Sequence, residues 1–182
     1  MTNGIFAKHI GKLAVGAGMT GASIYLLMIN FTLAHIEAVS GHVPFDMRPS
    51  GYGPAEAATL LEALGVQGRA YYLSHQIALD TLYPLMLTLT LIATICWLGQ
   101  RMPNGKPVRF GIALSVGSAL FDYLENLGIA AMIWSWPEIS APLVYATSSA
   151  TILKSALTTL AVLLTLLVGF KWTRLPEADV RR

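Results

Sequence analysis

The sequence predicts an all-α integral membrane protein: a bundle of four transmembrane helices with one short amphipathic helix in an outer loop. Three observations predict it. Of its 182 residues 54% are hydrophobic and only 12% charged, with a mean hydropathy of +0.58. A soluble domain carries about 25% charged residues. Four apolar runs are each long enough to cross a bilayer, which takes about 20 helical residues. The few ionisable residues inside those runs fall at one depth on three of them.

The whole chain, residues 1–182, reads as one transmembrane domain with no room for a sizeable soluble module. The formal net charge of +2 is too small to suggest nucleic acid as a partner. A single cysteine, Cys96, rules out an internal disulfide and any metal or haem motif built on paired cysteines. The lipid bilayer is the partner that composition demands.

The first span is expected over residues 11–38. Lys8 and Lys12 precede its apolar part as in a signal peptide, but that part runs over residues 13–34, beyond the usual core of about 7–15. It reads as a retained span. Ala14, Gly18 and Ala22 repeat at four-residue spacing, the pattern that lets membrane helices approach closely, and suggest a homo- or hetero-oligomer contact through this helix. Ser23, Asn30 and Glu37 recur every seven residues as a thin polar stripe.

A 32-residue connection, residues 39–70, follows. Gly41, Pro44, Pro49, Gly51 and Gly53 break regular structure at its start. Pro54 suits a first helical position and Gly65 a C-terminal cap. Between them Ala57, Leu60, Leu61 and Leu64 make one apolar face. This predicts an amphipathic helix over residues 54–64, on the membrane surface or over the bundle mouth.

The second span is expected over 71–99, with Gln76, Asp80 and Tyr83 on one face. Pro84 lies four residues after Asp80, so it cannot donate to the Asp80 carbonyl. A kink is expected there, with a neighbouring helix or water serving the freed carbonyl. A tight turn containing Pro103-Asn104-Gly105 leads to the third span, 109–136. Pro137 and Pro142 bracket the turn to the fourth, 141–172. Residues 173–182 read as a polar tail.

Charge sets orientation. Nine of the twelve Lys and Arg residues collect at one end of the spans, and only Arg48 and Arg69 lie at the other. Both termini are therefore expected in the cytoplasm, with the chain in a cell inner membrane. Trp97 and Trp172 would mark the inner interface, Trp134 and Trp136 the outer one.

Asp122, Glu125 and Asn126 sit at i, i+3 and i+4, one face of a helix. At a rise of about 1.5 Å per residue, Asp80 lies roughly 14 Å, Glu125 roughly 17 Å, Lys154 roughly 20 Å and Asp122 roughly 21 Å from the outer helix ends. Facing lipid, each charge would cost about 2.5–3.5 kcal/mol on insertion scales, so they are expected to turn inward. Three acids balanced by one lysine make a site expected to bind a proton. Its plainest role is to fix helix register, with Lys154 bridging the acids.

The preferred reading is an outward-open pocket for a small amphipathic or lipid-like ligand. Asp80, Asp122 and Glu125 are then candidate catalytic acids or bases. Asn126, Lys154, Tyr83 and Gln76 are candidate ligand contacts, with Arg48 and Arg69 available for an anionic head group. The alternatives are an accessory subunit of a larger membrane complex and a proton-coupled transporter. No cofactor is strongly implied. His35 and His75, with His42 and nearby acids, make a weak metal candidate without compact ligand spacing, and a haem clasp is weaker still. Ser74 and His75, adjacent on a helix, are expected to point about 100° apart, which argues against a serine hydrolase.

Overall fold

The computed structural model describes residues 3–100 and 105–174, with side chains from residue 9 onward. Every regular element among them is helical. Helix α1 (Asn3–Leu27) runs through a π-turn (Met28–Thr32) directly into α2 (Leu33–Ser40). The run stops at Gly41, whose left-handed φ of 69° lets its N–H reach the Glu37 carbonyl at 2.8 Å. A 3₁₀ turn, Phe45–Met47, follows in the connecting loop.

Helix α3 (Pro54–Tyr71) opens with proline at its first position, and the Glu56 carboxylate accepts from the Gly53 N–H at 2.7 Å. The helix breaks at Gly65, where φ is 60° and ψ −173°. Its first arm therefore ends where the sequence places the cap. Arg69 closes that end by donating from its guanidinium to the Leu61 carbonyl at 2.6 Å. The second arm passes through another π-turn (Tyr72–Gln76) into α4 (Ile77–Gly99). Helices α5 (Lys106–Trp134) and α6 (Ala141–Thr173) complete the chain. Pro103 and Asn104 of the expected turn lie outside the described residues, as do Arg101 and residues 175–182 of the tail.

Three helical stretches are long and apolar enough to cross a membrane: His9–Ser40, Pro54–Gly99 and Ala141–Thr173. The 29-residue α5 is of similar length but carries Asp122, Glu125 and Asn126 in its interior. It packs between its neighbours, most extensively against α6 and next against α4. On its other side α4 carries α1. The bundle is thus a three-helix group with α1 docked on one flank.

Small residues make that docking close. A Cβ on Gly18 would lie 3.3 Å from Thr90, and one on Gly21 3.3 Å from Met86. Ala14 is buried in the same seam, while Ala22 is exposed. The small-residue face of α1 is therefore largely taken by α4 of the same chain. The polar stripe of Ser23, Asn30 and Glu37 faces outward.

The main apolar cluster sits at the end of the bundle that carries the 41–53 loop. Phe45 and Tyr52 of the loop, Leu60 and Leu61 of α3, and Met132 of α5 pack there with Ile36 of α2. The apolar face of the first arm of α3 is thus spent on this core, and the arm lies over the bundle mouth. A smaller cluster of Leu91, Leu114 and Ala161 lies toward the opposite end, where Gly11 of α1 packs on Trp97 and Trp97 lies beside Trp172 of α6. The charged residues fall between the two.

Gly51 anchors the loop. Its φ is 85°, and a Cβ there would come within 2.6 Å of Ser148 and 2.9 Å of Ile152 on α6. Beside it the Tyr52 N–H donates to Ser148 Oγ at 2.8 Å. Gly51→Ala is expected to lower stability by about 1–3 kcal/mol from the backbone conformation alone, more with the contact. Thermal unfolding of the detergent-solubilised protein reads this directly. A melting point equal to wild type would mean the loop is not held as described.

Candidate functional site

The site is built on α5, where helical spacing puts Asp122, Glu125 and Asn126 on the face turned toward α4 and α6. Lys154 of α6 reaches both acids. Its ammonium pairs with Glu125 Oε2 and donates to Asp122 Oδ1 at 3.3 Å. One turn before Lys154, Thr151 donates to Glu125 Oε1 at 2.7 Å. Asp80 enters from α4, close enough to Asp122 for the two carboxyls to interact. All are enclosed: Glu125 is 0% exposed, Asp80 2%, Asn126 4% and Asp122 6%.

Pro84 shapes the α4 side. With no N–H at position 84, the Asp80 carbonyl loses its helical donor. Asn126 Nδ2 supplies the replacement at 3.0 Å. The missing proline N–H and the asparagine are therefore two halves of one arrangement. Asn126 Oδ1 and Asp80 Oδ2 are left buried without a hydrogen-bond partner. Buried acceptors of this kind are uncommon and cost about 1–3 kcal/mol each.

A second set of polar groups descends from the loop. Asp46 turns inward, accepting from the Tyr72 hydroxyl and from Gln76 Nε2 at 3.3 Å. Tyr72 also accepts from the Phe45 N–H at 3.2 Å, so it holds the turn on both sides of Asp46. Gln76 Oε1 accepts from Thr32 at 2.5 Å. Thr32 and Gln76 each end a π-turn, so the two irregular turns face one another at this contact. Tyr52 lies over the Glu125 side, and burial together with the Glu125 charge pushes its phenol well above the ordinary range. At the other side, Ser118 and Thr158 extend the α5–α6 polar seam through a 2.5 Å contact.

Asp80, Asp122, Glu125, Asn126 and Lys154 thus meet, with Gln76 joined through Asp46. Tyr83 packs on Tyr25 of α1, ring centroids 5.5 Å apart, beside the same acids. Arg48 and Arg69 do not join. Arg48 donates to the Val43 carbonyl at 3.0 and 2.7 Å and lies 4.0 Å from Glu56. Arg69 serves Leu61 and sits 5.3 Å over the Trp136 ring. His35 and His75 each pack on the Tyr71 ring, centroids 4.2 and 4.3 Å away, rather than converging on a common point. No group of three His, Cys, Asp or Glu suited to a metal is present among the described residues. Ser74 Oγ and His75 Nδ1 do meet at 2.8 Å, against the expected divergence, because the π-turn changes their relative direction. Ser74 is bonded back to the Ala70 carbonyl as well, and both side chains are exposed.

Tyr72, Thr32 and Tyr52 are the members sequence reasoning missed. Thr151 lies on the helix stripe of Thr147, Lys154 and Thr158 that the sequence shows. Tyr72 is four residues before Gln76. Asp46 the sequence offers only as an acid beside the histidine candidates, because only the folded loop turns it toward Tyr72 and Gln76. The carboxylates of the centre are buried, and Tyr52 of the loop lies beside Glu125. Surface grooves near Trp97, Tyr71, Phe31 and Pro49 are lined by none of the charged centre. Comparison with protein-family models, with curated proteins and with solved structures finds no match for this chain.

The Asp80 carbonyl gives a sharp test. Asn126→Leu is expected to cost about 1–3 kcal/mol by leaving that carbonyl without a donor. In a Pro84→Ala background the Ala N–H resupplies it, so the cost of Asn126→Leu should shrink. Denaturation of the four proteins of this cycle measures the coupling. An undiminished cost would show that Asn126 does not act through the carbonyl.

Proposed function

We propose that this is a four-span protein of an inner membrane whose charged centre binds a small amphipathic or lipid-like ligand. The spans are α1 with α2, the α4 region, α5 and α6. Both termini are cytoplasmic, and the first arm of α3 caps the outer mouth. The position of α5 between α4 and α6, with its acids turned away from lipid, supports counting it as a span. Gly11 of α1 packs on Trp97, which lies beside Trp172 of α6, so the first part of α1 and the end of α6 share one end, which fits an even number of crossings. Trp97 and Trp172, 6.1 Å apart, would mark the inner interface.

The observation that carries the ligand reading is the pair of buried acceptors, Asp80 Oδ2 and Asn126 Oδ1, with no protein donor. They adjoin carboxylates in excess of the single ammonium of Lys154. A network built only to fix helix register has no use for orphaned acceptors. A ligand with hydroxyl or amine donors satisfies them. In this reading the Phe45–Tyr52 loop is a closed cover, and Asp46 ties the cover to α4 through Tyr72 and Gln76. If a reaction follows binding, Asp80, Asp122 or Glu125 acts as its general acid or base.

The second reading, an accessory subunit of a membrane complex, draws on the closure of the same centre. Lys154 has two counter-charges, and its side chain is only 12% exposed.

Native mass spectrometry after purification in mild detergent separates the two. The ligand reading expects a small molecule or lipid at one per chain, lost in Asp122→Asn and Glu125→Gln while the fold persists. A bare chain mass together with a stoichiometric partner polypeptide would replace it with the subunit reading. Orientation is tested separately: a reporter active only outside the cytoplasm, fused after Arg182, should stay silent, and strong activity there would invert the assignment.

A further inference from the structure

Two buried oxygens set the chemistry of what the charged centre takes. Asp80 Oδ2 and Asn126 Oδ1 have no hydrogen-bond partner, in residues that are 2% and 4% exposed. The Asn126 amide has one sense only, because its Nδ2 must face the Asp80 carbonyl at 3.0 Å. Its oxygen is therefore held inside the acidic layer, on the α5 face that carries Asp122 and Glu125. The nearby donors are engaged elsewhere. Thr151 donates to Glu125, and the Lys154 ammonium sits between Glu125 and Asp122.

The layer thus lacks donors and positive charge together. A carboxylate and an amide oxygen can only accept. An alcohol brings one donor, plus an oxygen that asks for a donor of its own. A primary ammonium brings three N–H donors, no acceptor, and a charge that offsets an acid. Tyr83 of α4 and Tyr123 of α5, both half-buried, lie near the two aspartates, and aromatic faces attract an ammonium. Leu82 and Leu124, next to these tyrosines in the chain, are exposed, so apolar surface is at hand for an alkyl tail.

A phosphate or carboxylate on the ligand would need a cation of its own. Arg48 is bonded to the Val43 carbonyl and lies near Glu56, and Arg69 is bonded to the Leu61 carbonyl. Lys154 already faces two acids. We infer that the ligand is an amphipathic primary amine with no anionic group, bound as its ammonium at Asp80 and Asn126. This inference rests on the ligand reading above and narrows it to one chemical class.

The test uses the full chain in phosphatidylcholine nanodiscs at neutral pH and reads thermal unfolding. Four probes are added at equal mole fraction: dodecylamine, dodecyltrimethylammonium, dodecanol and phosphatidylethanolamine. Dodecylamine near saturation should raise the melting temperature by about 5 °C or more, and the other three by much less. In Asp80→Asn, checked for helicity, the dodecylamine shift should vanish. The wild-type comparison decides the matter by itself if that variant does not fold. An equal shift with dodecyltrimethylammonium would show that charge acts without N–H donors, and would overturn the inference. So would an equal shift with dodecanol, a larger one with phosphatidylethanolamine, or a dodecylamine shift that survives in folded Asp80→Asn. Those results leave a ligand site standing for another class of molecule. No shift with any probe also overturns the amine, and the native mass spectrum then judges the ligand reading separately: a neutral lipid at one per chain keeps it, and a bare chain does not.

Discussion

The fold turns on the ammonium of Lys154 held between Glu125 and Asp122. The two acids are one helical turn apart on α5, and Lys154 meets them from α6. Far from water such a group has few acceptable positions. A charge without its partner costs several kcal/mol, so a slip of α6 by one turn is heavily disfavoured. The ion pair therefore sets the register of the two helices that share the widest contact. Thr151 reinforces it from the next turn by filling the remaining Glu125 oxygen. Helix α4 is added by a different device, the exchange of a missing proline N–H for the Asn126 amide. Helix α1 is added by neither, and rests on α4 through glycine and alanine contacts.

This hierarchy explains what was legible in the sequence. Ionisable residues inside apolar runs are rare, so Asp80, Asp122, Glu125 and Lys154 stood out, and helical rise placed them at one level. Pro84 pointed to a freed carbonyl, because the consequence of a missing N–H is local and fixed. The break at Gly65 and the apolar face from Ala57 to Leu64 were equally local. Asp46 was not legible. Its inward turn depends on Tyr72 and Gln76, 26 and 30 residues away in the chain, meeting it in space. The two π-turns leave no compositional mark either, and they decide where Thr32, Gln76 and the Ser74–His75 pair point. The small-residue repeat on α1 was read correctly as a contact surface, but spacing alone does not say whether the contact is within the chain or beyond it.

The loop carries a meaning that the helices do not. Its apolar residues, Phe45 and Tyr52, belong to the main cluster, and its acid belongs to the polar layer beneath. A segment that served only to connect helices would satisfy its backbone with water and leave Asp46 at the surface. Instead the segment begins and ends with left-handed glycines, Gly41 and Gly51, is bonded between them to the π-turn before α4, and is bonded to α6 by Tyr52 just after them. It is folded into the bundle as a closure.

In the proposed reading the loop closes over something that enters or leaves. Half-buried Asp46, turned toward Asp80, Asp122 and Glu125, adds a further carboxyl to a layer that holds one ammonium. A protein selected only for stability would gain by replacing such acids with apolar side chains of similar shape. Beyond the Lys154 ammonium their charge has to be matched by protons or another cationic or donor group, and in the proposed reading the unpartnered acceptors of Asp80 and Asn126 take a ligand's donors. Asp46 joins those acceptors to the cover mechanically, because Tyr72 and Gln76 hold it at the start of the same helix that presents Asp80. Asp80 lies in the first turn of α4 and Gln76 immediately precedes that helix, so in the proposed reading a ligand held at Asp80 and the cover held through Asp46 bear on the same end of one helix.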